Sequence, residues 1–424
     1  RPMEYRVAQL EALGRFLEEK KQEILEATAL DLGKPPFEAE LTEILLCKNE
    51  LHETLNNLCQ WMKDEHVERN MATQLDSAFI RKDPYGVVLI MGPWCCPVNL
   101  LLGPLIGAIA AGNCAVIKPS EMTKNVEKLM AEALPSYLDR DCYAVVSAGV
   151  QETTRLLENK FDYIFFTGSP SMGRLVMAAA AQHLTPVMLE LGGKNPCYVS
   201  DTCDVRSVAR RVAWGRFFNA GQTCVAPDYV LCTLEMQEKL LPALQKVITE
   251  FYGSNPRESS DFGRIVDEKE FRRLQMLLRS GRVAIGGQTD EKDLYIAPTV
   301  VVDVQPSDPI MQDIILGPIL PIFIVANMDE AIDFINNRER PLAVYAFSSD
   351  DKVCPVLCVT GCSGLGKYHG KFTFDTFSHQ RGCLHRNMGL EALNALRYPP
   401  YSQHRVGIVC AASRVKHKGS CTLL

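Results

Sequence analysis

The sequence lacks an excess of charge of one sign and lacks the spacing of metal ligands. Its 424 residues carry 45 lysines and arginines against 51 aspartates and glutamates, a formal net charge of −6. This balance argues against a nucleic-acid-binding surface, and no acidic tract indicates disorder. No CxxC pair or His/Cys cluster has zinc spacing, so we predict no metal. A chain of this length, 47% hydrophobic, is long enough for two or three packed domains.

A paired cysteine pattern is also absent. The 16 cysteines are scattered through a long chain, and the first residues, Arg1 to Gln9, are charged and show no signal peptide. We therefore predict free thiols in the reducing environment of the cytoplasm.

No long apolar run is free of interruptions. The stretch 98–117 is the most apolar, but Asn99, Gly103, Pro104 and Asn113 interrupt it. A membrane span needs about 20 predominantly apolar residues. The pattern instead predicts a buried helix followed by a buried strand.

Short β-rich runs alternate with helical patterns, which is typical of an α/β fold with a doubly wound parallel sheet. The alternation continues beyond Asp204 into a second α/β unit, in which one strand is predicted across Ile296–Val304. The strands predicted for the first unit are Gly86–Met91, Cys114–Ile117, Tyr143–Val146, Tyr163–Phe166, Pro186–Leu189 and Pro196–Val199.

Two short segments contain candidate catalytic residues. Cys224 ends the run Asn-Ala-Gly-Gln-Thr-Cys, where small residues leave space for a substrate beside a thiolate nucleophile and its neighbouring peptide N–H groups. Glu190 lies between two leucines at the end of an apolar strand, where desolvation raises a carboxyl pKa toward that of a general base. The alternatives are a buried cysteine that only packs and a glutamate that reaches solvent.

Two further segments contain candidate ligand-binding residues. Phe166–Gly173 runs from a strand into a helix predicted to open near Ser171, and a helix N-terminus can bind phosphate. It is not GxGxxG, so an ordinary strand-to-helix turn explains it equally well. Lys118 and Glu121 follow another strand, where ligands bind in open α/β sheets, although two solvated charges would look the same.

Taken together, the order and spacing of these segments resemble the aldehyde dehydrogenase superfamily over nearly the whole chain. The segment Tyr368–His379 and the ending Cys421-Thr422-Leu423-Leu424 are similar to family 3, subfamily B. The segments that carry the superfamily resemblance are Pro93-Trp94, Lys118–Glu121, Phe166–Gly173, Leu189–Lys194, Asn219–Cys224 and Gly317-Pro318.

This resemblance implies an NAD- or NADP-dependent oxidation of an aldehyde. Cys224 would attack the carbonyl carbon to give a thiohemiacetal, hydride would pass to the nicotinamide, and Glu190 would activate the water that hydrolyses the thioester. The residues that the resemblance assigns to the cofactor site are Gly168, Ser169, Pro170, Ser171, Met172 and Gly173 in the cofactor turn, Lys118 and Glu121 at the adenosine ribose, and Trp94.

The sequence departs from the family pattern at three places. Cys95 stands where the family usually has the oxyanion-binding Asn of Pro-Trp-Asn-Tyr-Pro. Ile314 stands where a Glu usually holds the nicotinamide ribose, with Asp313 beside it. After Thr360 the family's next strand of the catalytic domain and its Phe-Gly-Gly loop are missing, so we expect an exposed strand edge.

The resemblance further implies a domain organisation. Residues 1–190 form the cofactor-binding domain, 191–360 a shortened α/β catalytic domain, 361–395 a small bridging element and 396–424 a tail with a lipidation signal. In the family, a hairpin near 70–83 and the segment Lys371–Arg386 serve dimerisation, so we expect a homodimer.

The tail predicts attachment to a membrane or lipid-droplet surface. Cys421 begins a loose Cys-aliphatic-aliphatic-X ending whose terminal leucine favours geranylgeranyl, and Cys410 is a candidate for a second acyl chain. Arg414, Lys416 and Lys418 add basic charge beside them. We therefore expect a cytoplasmic protein held peripherally, with access to medium- and long-chain aldehydes.

Two rival hypotheses remain from the sequence. An inactive, membrane-anchored relative that acts in binding or as a scaffold would explain Cys95, Ile314 and the missing segment. A cysteine hydrolase without a cofactor would use Cys224, but it leaves the 168–173 turn and Lys118 unexplained.

Overall fold

The computed structural model describes residues 1–68, 76–349, 360–386 and 395–413. The strands are β1 Glu65–His66, β2 Ser77–Pro84, β3 Val87–Met91, β4 Cys114–Lys118, β5 Tyr143–Val145, β6 Tyr163–Gly168, β7 Val187–Leu191, β8 Pro196–Val199, β9 Tyr229–Cys232, β10 Arg282–Ile285, β11 Thr289–Asp290, β12 Tyr295–Ile296, β13 Thr299–Val302, β14 Ile319–Ile324, β15 Tyr345–Phe347, β16 Thr360–Gly361, β17 Gly364–Leu365 and β18 Ser378–His385. The α-helices are α1 Met3–Glu19, α2 Lys21–Leu32, α3 Pro36–Ala39, α4 Leu46–Trp61, α5 Asn99–Ala111, α6 Lys124–Ala133, α7 Val150–Leu157, α8 Pro170–Ala181, α9 Val205–Phe217, α10 Leu234–Tyr252, α11 Glu268–Leu277, α12 Met328–Asn336, α13 Lys371–Thr376 and α14 Gln403–Ser413.

The first large sheet has the strand order β16-β17-β7-β6-β3-β4-β5. Strand β3 pairs in parallel with both β4 and β6, and β5 and β7 continue the parallel sheet outward on either side. The chain therefore enters at the centre and winds outward in both directions, which confirms the predicted doubly wound α/β fold. The order reverses between β3 and β6, where ligands bind in sheets of this kind.

The second large sheet has the order β10-β13-β14-β9-β8-β15. Its strands are parallel except for β10, which pairs antiparallel with β13. The single strand predicted across Ile296–Val304 is wrong, because two strands occur there, Tyr295–Ile296 and Thr299–Val302. Pro298 separates them, since a proline has no N–H to donate to a ladder.

Helix α5 lies inside the molecule, as predicted for the apolar stretch 98–117. Almost all of its residues are buried, and β4 follows directly. Gly107 allows α13 to approach α5, because a Cβ at that position would overlap the Thr373 side chain. None of the helices in the described residues is long and apolar enough to cross a membrane.

A separate three-stranded antiparallel sheet lies outside these two units, in the order β1-β2-β18. Strands β2 and β18 pair residue by residue, from Pro84 with Ser378 to Ser77 with His385. Most of their side chains are exposed or half-buried. Residues 69–75 of the predicted dimerisation hairpin lie outside the described residues.

Candidate active site

The loop that leads to Cys224 has an unusual backbone conformation. Asn219, Ala220 and Gly221 have φ values of 52°, 51° and 75°, all in the left-handed region. This region is costly for residues with a Cβ and persists only where the surroundings enforce it. Gly221 has a second constraint, because a Cβ there would overlap the carbonyl oxygen of Gly317.

Hydrogen bonds from distant segments hold this loop in place. The Asn219 side chain donates to the carbonyl oxygens of Cys95 at 2.8 Å and of Gln222 at 2.9 Å. The backbone N–H of Asn219 donates to the Glu38 carboxylate at 2.8 Å. The Gln222 amide donates to the carbonyl oxygen of Arg264 at 2.8 Å. Residues distant in sequence therefore fix the conformation that carries the nucleophile.

Arg216 also holds the loop that leads to Cys224. It is fully buried, and its guanidinium donates to the Asp228 carboxylate at 2.9 Å and to the carbonyl oxygen of Gly221 at 3.0 Å. It also donates to the carbonyl oxygen of Gly317. Burial lowers the pKa of Arg216, whereas the charge of Asp228 raises it. This pair thus joins the nucleophile loop to the loop before β14.

Asn195 fixes the position of Cys224 itself. Its buried amide donates to the carbonyl oxygens of Cys224 at 2.8 Å and of Ala226 at 2.9 Å. Its side-chain oxygen accepts from the backbone N–H groups of Leu342 at 3.1 Å and Ala343 at 2.8 Å. No role for Asn195 was predicted from the sequence. Its only sequence signal is its place directly after the Leu-Glu-Leu-Gly-Gly-Lys segment.

We predict that Asn195→Asp destabilises the fold by about 2–4 kcal/mol, because buried groups left without partners cost about 1–3 kcal/mol each. The variant would lose both N–H donors and turn a carboxylate oxygen toward the carbonyls of Cys224 and Ala226. Urea unfolding monitored by fluorescence measures the change. The control is Asn57→Asp, since the Asn57 amide also donates to a carbonyl oxygen at 2.8 Å, but on an exposed helix surface. Equal effects of the two substitutions would contradict the prediction.

Glu190 occupies the candidate general-base position. It lies in β7, opposite Thr167 of β6 on one side and Gly364 of β17 on the other. Only 7% of its surface is exposed. Burial raises the pKa of its carboxyl to about 7, while the positive charge of His369 opposes the shift. A carboxyl with this pKa can both accept and release a proton near neutral pH.

Tyr368 has a buried phenol that is influenced by both candidate catalytic groups. Its ring packs edge-on against Phe165, with ring centroids 5.5 Å apart. Burial raises the pKa of its phenol, and the nearby charges of Glu190 and Cys224 raise it further. The predicted base and the predicted nucleophile therefore border one buried phenol.

Cys95 places a thiol beside the nucleophile. The neighbouring Cys224 thiol is the main cause that raises the pKa of the Cys95 thiol, and burial raises it further. The adjacent Cys96 thiol opposes this rise in the pKa of Cys95. An S–H group is a weak hydrogen-bond donor compared with an amide. The substitution at this position thus leaves a weak donor next to Cys224.

The predicted cofactor turn follows β6. Gly168 ends the strand, Ser169 caps α8, and its side-chain oxygen accepts from the backbone N–H of Met172 at 3.3 Å. The helix begins at Pro170, one residue before the predicted Ser171, because proline at the first helical position has no N–H to satisfy. The half-exposed N-terminus of α8 presents backbone N–H groups at the sheet edge.

Gly173 brings α8 close to the sheet. A Cβ at this position would overlap the side chain of Leu191, so only glycine allows this distance between helix α8 and strand β7. The helix N-terminus is thereby held near the residue that follows Glu190 in the chain.

Lys118 and Glu121 lie at the carboxyl end of β4. The buried Lys118 ammonium contacts the more exposed Glu121 carboxylate at 2.5 Å. Trp94 is half-buried and follows the carboxyl end of β3. Since β6, β3 and β4 are neighbours in the sheet, these residues and the turn after Gly168 share one edge, next to the point where the strand order reverses.

Ile314 packs against the glycine pair after Glu190. A Cβ on Gly192 would lie 3.1 Å from the Ile314 Cδ1 atom, so the isoleucine side chain borders this turn. It offers no hydrogen-bond acceptor. Asp313 is exposed to solvent.

The two candidate lipidation sites fall in the C-terminal part of the chain. Cys410 is exposed on helix α14. Cys421 lies outside the described residues.

The sequence matches the model of the aldehyde dehydrogenase family over residues 1–357. Together with the doubly wound sheet and the site around Cys224 and Glu190, this match defines the class of protein. The chain belongs to the aldehyde dehydrogenase family.

The chain is similar to members of family 3 of these enzymes. It is 59% identical to human aldehyde dehydrogenase family 3 member B1 over 449 residues, with 100% of this chain and 96% of the relative covered. It is 47% identical to family 3 member A2 of Macaca fascicularis over 431 residues, with 96% and 89% covered. The substrate-bound state of AldH from Staphylococcus aureus superposes with a TM-score of 0.93 at 38% identity, with 97% and 95% covered.

Proposed function

We propose that this protein oxidises medium- and long-chain aldehydes to carboxylic acids with NAD or NADP. The observation that carries the proposal is the buried carboxyl of Glu190, whose pKa of about 7 suits a general base. Relatives at up to 59% identity over the whole chain support the same activity.

The mechanism follows from what each side chain can do. The Cys224 sulfur attacks the carbonyl carbon of the aldehyde, and the resulting oxyanion is met by peptide N–H groups of the loop and by the Cys95 thiol. A nicotinamide cofactor, held by the turn after β6 and by Lys118 and Glu121, would supply the acceptor for the hydride of the thiohemiacetal carbon. Glu190 then removes a proton from water, which attacks the thioester and releases the acid.

The residues at the carboxyl edge of the first sheet suit a dinucleotide. The N-terminus of α8, capped by Ser169, would hold phosphate, and Lys118 with Glu121 would hold the adenosine ribose. A carboxylate beside the 2′-hydroxyl favours NAD by repelling a 2′-phosphate, without excluding NADP. Ile314 offers no hydrogen bond to the nicotinamide ribose, so we expect this end of the cofactor to be held less firmly.

The test is the formation of NADH by the purified full chain with hexadecanal and with a short aldehyde. We expect turnover with hexadecanal that Cys224→Ala abolishes, while NAD binding, measured by calorimetry, persists in the variant. Folded protein that binds NAD but forms no NADH would refute the dehydrogenase and favour the inactive, anchored relative.

The ionisation of Glu190 predicts the pH dependence of turnover. Water activation needs the carboxylate, and its pKa of about 7 means that about one-tenth is ionised at pH 6. We therefore expect kcat to fall about tenfold for each pH unit below 7 and to level off above pH 8. A pH profile at saturating substrates measures this.

The control for the pH profile is Glu190→Gln, which cannot ionise at this position. We expect its kcat to be about 10²–10⁴ times lower and nearly flat across the same range. A Glu190→Gln profile with the wild-type slope would assign the titration to another group.

We also propose that the protein is held on a membrane or lipid-droplet surface. Prenylation of Cys421 gives one lipid, and the exposed Cys410 offers a place for a second chain, which stable attachment requires. The test is flotation of the expressed protein with membranes and lipid droplets in cells. We expect Cys421→Ser to release it to the soluble fraction and Cys59→Ser, another exposed cysteine, to leave it bound.

A homodimer is the assembly that we propose. The β1-β2-β18 sheet supports it, because its side chains are largely exposed and it lies outside the two large sheets. Sedimentation of the purified protein is expected to give twice the chain mass, and a monomer at micromolar concentration would contradict the proposal.

A further inference from the structure

We propose that Glu38 and Glu43 are positioning residues that hold two loops of the active site in one arrangement. The first is the nucleophile loop, residues 219–224, and the second is the Cys95 loop, residues 92–98. Both glutamates act through backbone N–H groups, so neither is a catalytic residue. The inference rests on the proposed function, because positioning matters for turnover only if Cys224 is the nucleophile.

Glu38 holds the start of the nucleophile loop. Its carboxylate accepts a hydrogen bond from the backbone N–H of Asn219 at 2.8 Å, across 181 positions of the sequence. Asn219 is the first of three residues with a left-handed backbone, and its φ is 52°. Such a conformation persists only where the surroundings enforce it. The hydrogen bond fixes the peptide group that enters this stretch, so its loss would let the loop relax.

Glu43 holds the end of the Cys95 loop. One oxygen of its carboxylate accepts from the backbone N–H groups of Val98 at 3.1 Å and of Asn99 at 3.0 Å. These residues are the N-cap and the first residue of α5, and the Val98 side chain provides no cap. The first N–H groups of a helix need acceptors, and a carboxylate there interacts favourably with the helix dipole. Glu43 therefore fixes the point at which the Cys95 loop joins α5.

A buried lysine orients Glu43. The second oxygen of the Glu43 carboxylate lies 2.6 Å from the Lys34 ammonium, and both side chains are 0% exposed. Burial lowers the pKa of Lys34, but the charge of Glu43 raises it, and the resulting pKa lies above the ordinary value. A buried ion pair stabilises a fold little more than apolar packing does. We therefore infer that the Lys34–Glu43 pair serves to place the carboxylate at the two N–H groups of α5.

A π-helix brings the two glutamates to their loops. Helix α3, Pro36–Ala39, continues directly into a π-helix at Glu40–Leu45. In a regular α-helix, side chains five positions apart point about 140° away from each other. A π-helix has hydrogen bonds from i to i+5 and so places an extra residue in the turn, which brings positions five apart toward one face. Glu38 and Glu43 are five apart. Single turns of this kind occur frequently at functional sites.

The two loops also contact each other. The side chain of Asn219 donates to the carbonyl oxygen of Cys95 at 2.8 Å. A displacement of either loop is therefore passed to the other, and Glu38 and Glu43 hold them as one unit. A misplacement of about 1 Å can lower a rate about 10²-fold. We expect the effect on kcat rather than on the KM for NAD, because the cofactor turn after Gly168 belongs to β6 and α8.

The experiment measures amide hydrogen exchange of the nucleophile loop by mass spectrometry, and kcat and the KM for NAD by NADH formation. We expect Glu38→Leu to speed exchange in residues 219–224, to lower kcat about 10²-fold and to leave the KM for NAD unchanged. Glu38→Gln keeps an acceptor oxygen and is expected to behave like the wild type. Burial already raises the pKa of Glu38 to about 7, so an uncharged acceptor should suffice.

The matched control for Glu38→Leu is Glu40→Leu. Glu40 is exposed on the π-helix, where it pairs with the Lys21 ammonium at 2.5 Å. We expect wild-type exchange and wild-type kcat from this control. Hydrogen exchange needs no turnover, so it tests Glu38 even if the protein oxidises no aldehyde. Failure of the proposed function is therefore distinguishable from failure of this inference.

Two double variants test Glu43 without leaving an unpaired charge. Lys34→Met with Glu43→Gln keeps an acceptor for the N–H groups of Val98 and Asn99, whereas Lys34→Met with Glu43→Leu removes it. We expect faster exchange at these two amides and a lower kcat only in the second.

Two results would overturn the inference. One is wild-type protection of residues 219–224 in Glu38→Leu, and the other is a Glu38→Gln variant as impaired as Glu38→Leu. If Glu38→Leu does not fold, Glu38→Asp replaces it, since the shorter side chain withdraws the carboxylate from the Asn219 N–H.

Discussion

Replacing Cys95 with asparagine is expected to raise kcat for aldehyde oxidation by about 10²–10³, because one oxyanion donor contributes about that factor. The Cys95 carbonyl oxygen accepts from Asn219 of the loop that leads to Cys224, at 2.8 Å, so we expect a side chain at this position to border the carbonyl that Cys224 would attack. An amide N–H is a stronger donor than S–H. Steady-state NADH formation at saturating aldehyde and NAD measures the change.

The matched control for this prediction is Cys95→Asp. Aspartate has the size and shape of asparagine but no N–H donor, and its charge repels a developing oxyanion. We expect the aspartate variant to be slower than the wild type and the asparagine variant faster. If both leave kcat unchanged, peptide N–H groups alone stabilise the oxyanion, and Cys95 has no part in the chemical step.

The strands of the two large sheets can be predicted from the sequence because they are buried. The run Tyr163–Phe166 was predicted as a strand, and the structure extends it to Gly168. Both faces of a central parallel strand are covered, so such strands are continuous apolar runs between turn residues. Helix α10 was predicted at 235–252 and observed at 234–252, since its apolar spacing ends at Gly253.

Other elements could not be predicted because the residues that stabilise them are distant in the sequence. The two-residue strand β16 pairs with β17, and β17 pairs with β7. Two residues are too few to show the alternation of apolar and polar residues that is typical of a strand. The roles of Asn195 and Arg216 depend on backbone groups brought close only by the complete fold. The Asn219 amide likewise joins the loop before Cys224 to the carbonyl oxygen of Cys95, which lies 124 residues earlier in the chain.

This chain has fewer residues than the part of human member B1 with which it aligns. The comparison with human member B1 spans 449 positions, whereas this chain has 424 residues, so about 25 positions have no residue here. The family pattern predicts a further strand after Thr360, so a deletion there would account for these positions. Strand β15 is the last strand on its side of the second sheet in the described residues.

Arg216→Met is expected to lower the free energy of unfolding by about 3–5 kcal/mol, because removing one partner of a buried ion pair leaves the other charge uncompensated. Asp228 is 1% exposed, and within the part of the chain that the structure describes its carboxylate would keep the backbone N–H of Ile315, at 3.1 Å, as a hydrogen-bond donor. The matched control is Arg210→Met. Arg210 pairs with Glu250 at 2.6 Å, but both side chains are more than 40% exposed. An exposed pair contributes about 0–1 kcal/mol. Urea unfolding of both variants measures the difference.

A double variant separates the charge from the backbone contacts of Arg216. Adding Asp228→Asn to Arg216→Met removes the unpaired carboxylate but keeps an acceptor for the Ile315 N–H, so we expect about half of the lost stability to return. Activity should not return, because the carbonyl oxygen of Gly221 still lacks the guanidinium that holds it at 3.0 Å. If activity recovered together with stability, the buried pair would serve the fold alone, and the strained loop before Cys224 would be held by Asn219 and Gln222 without it.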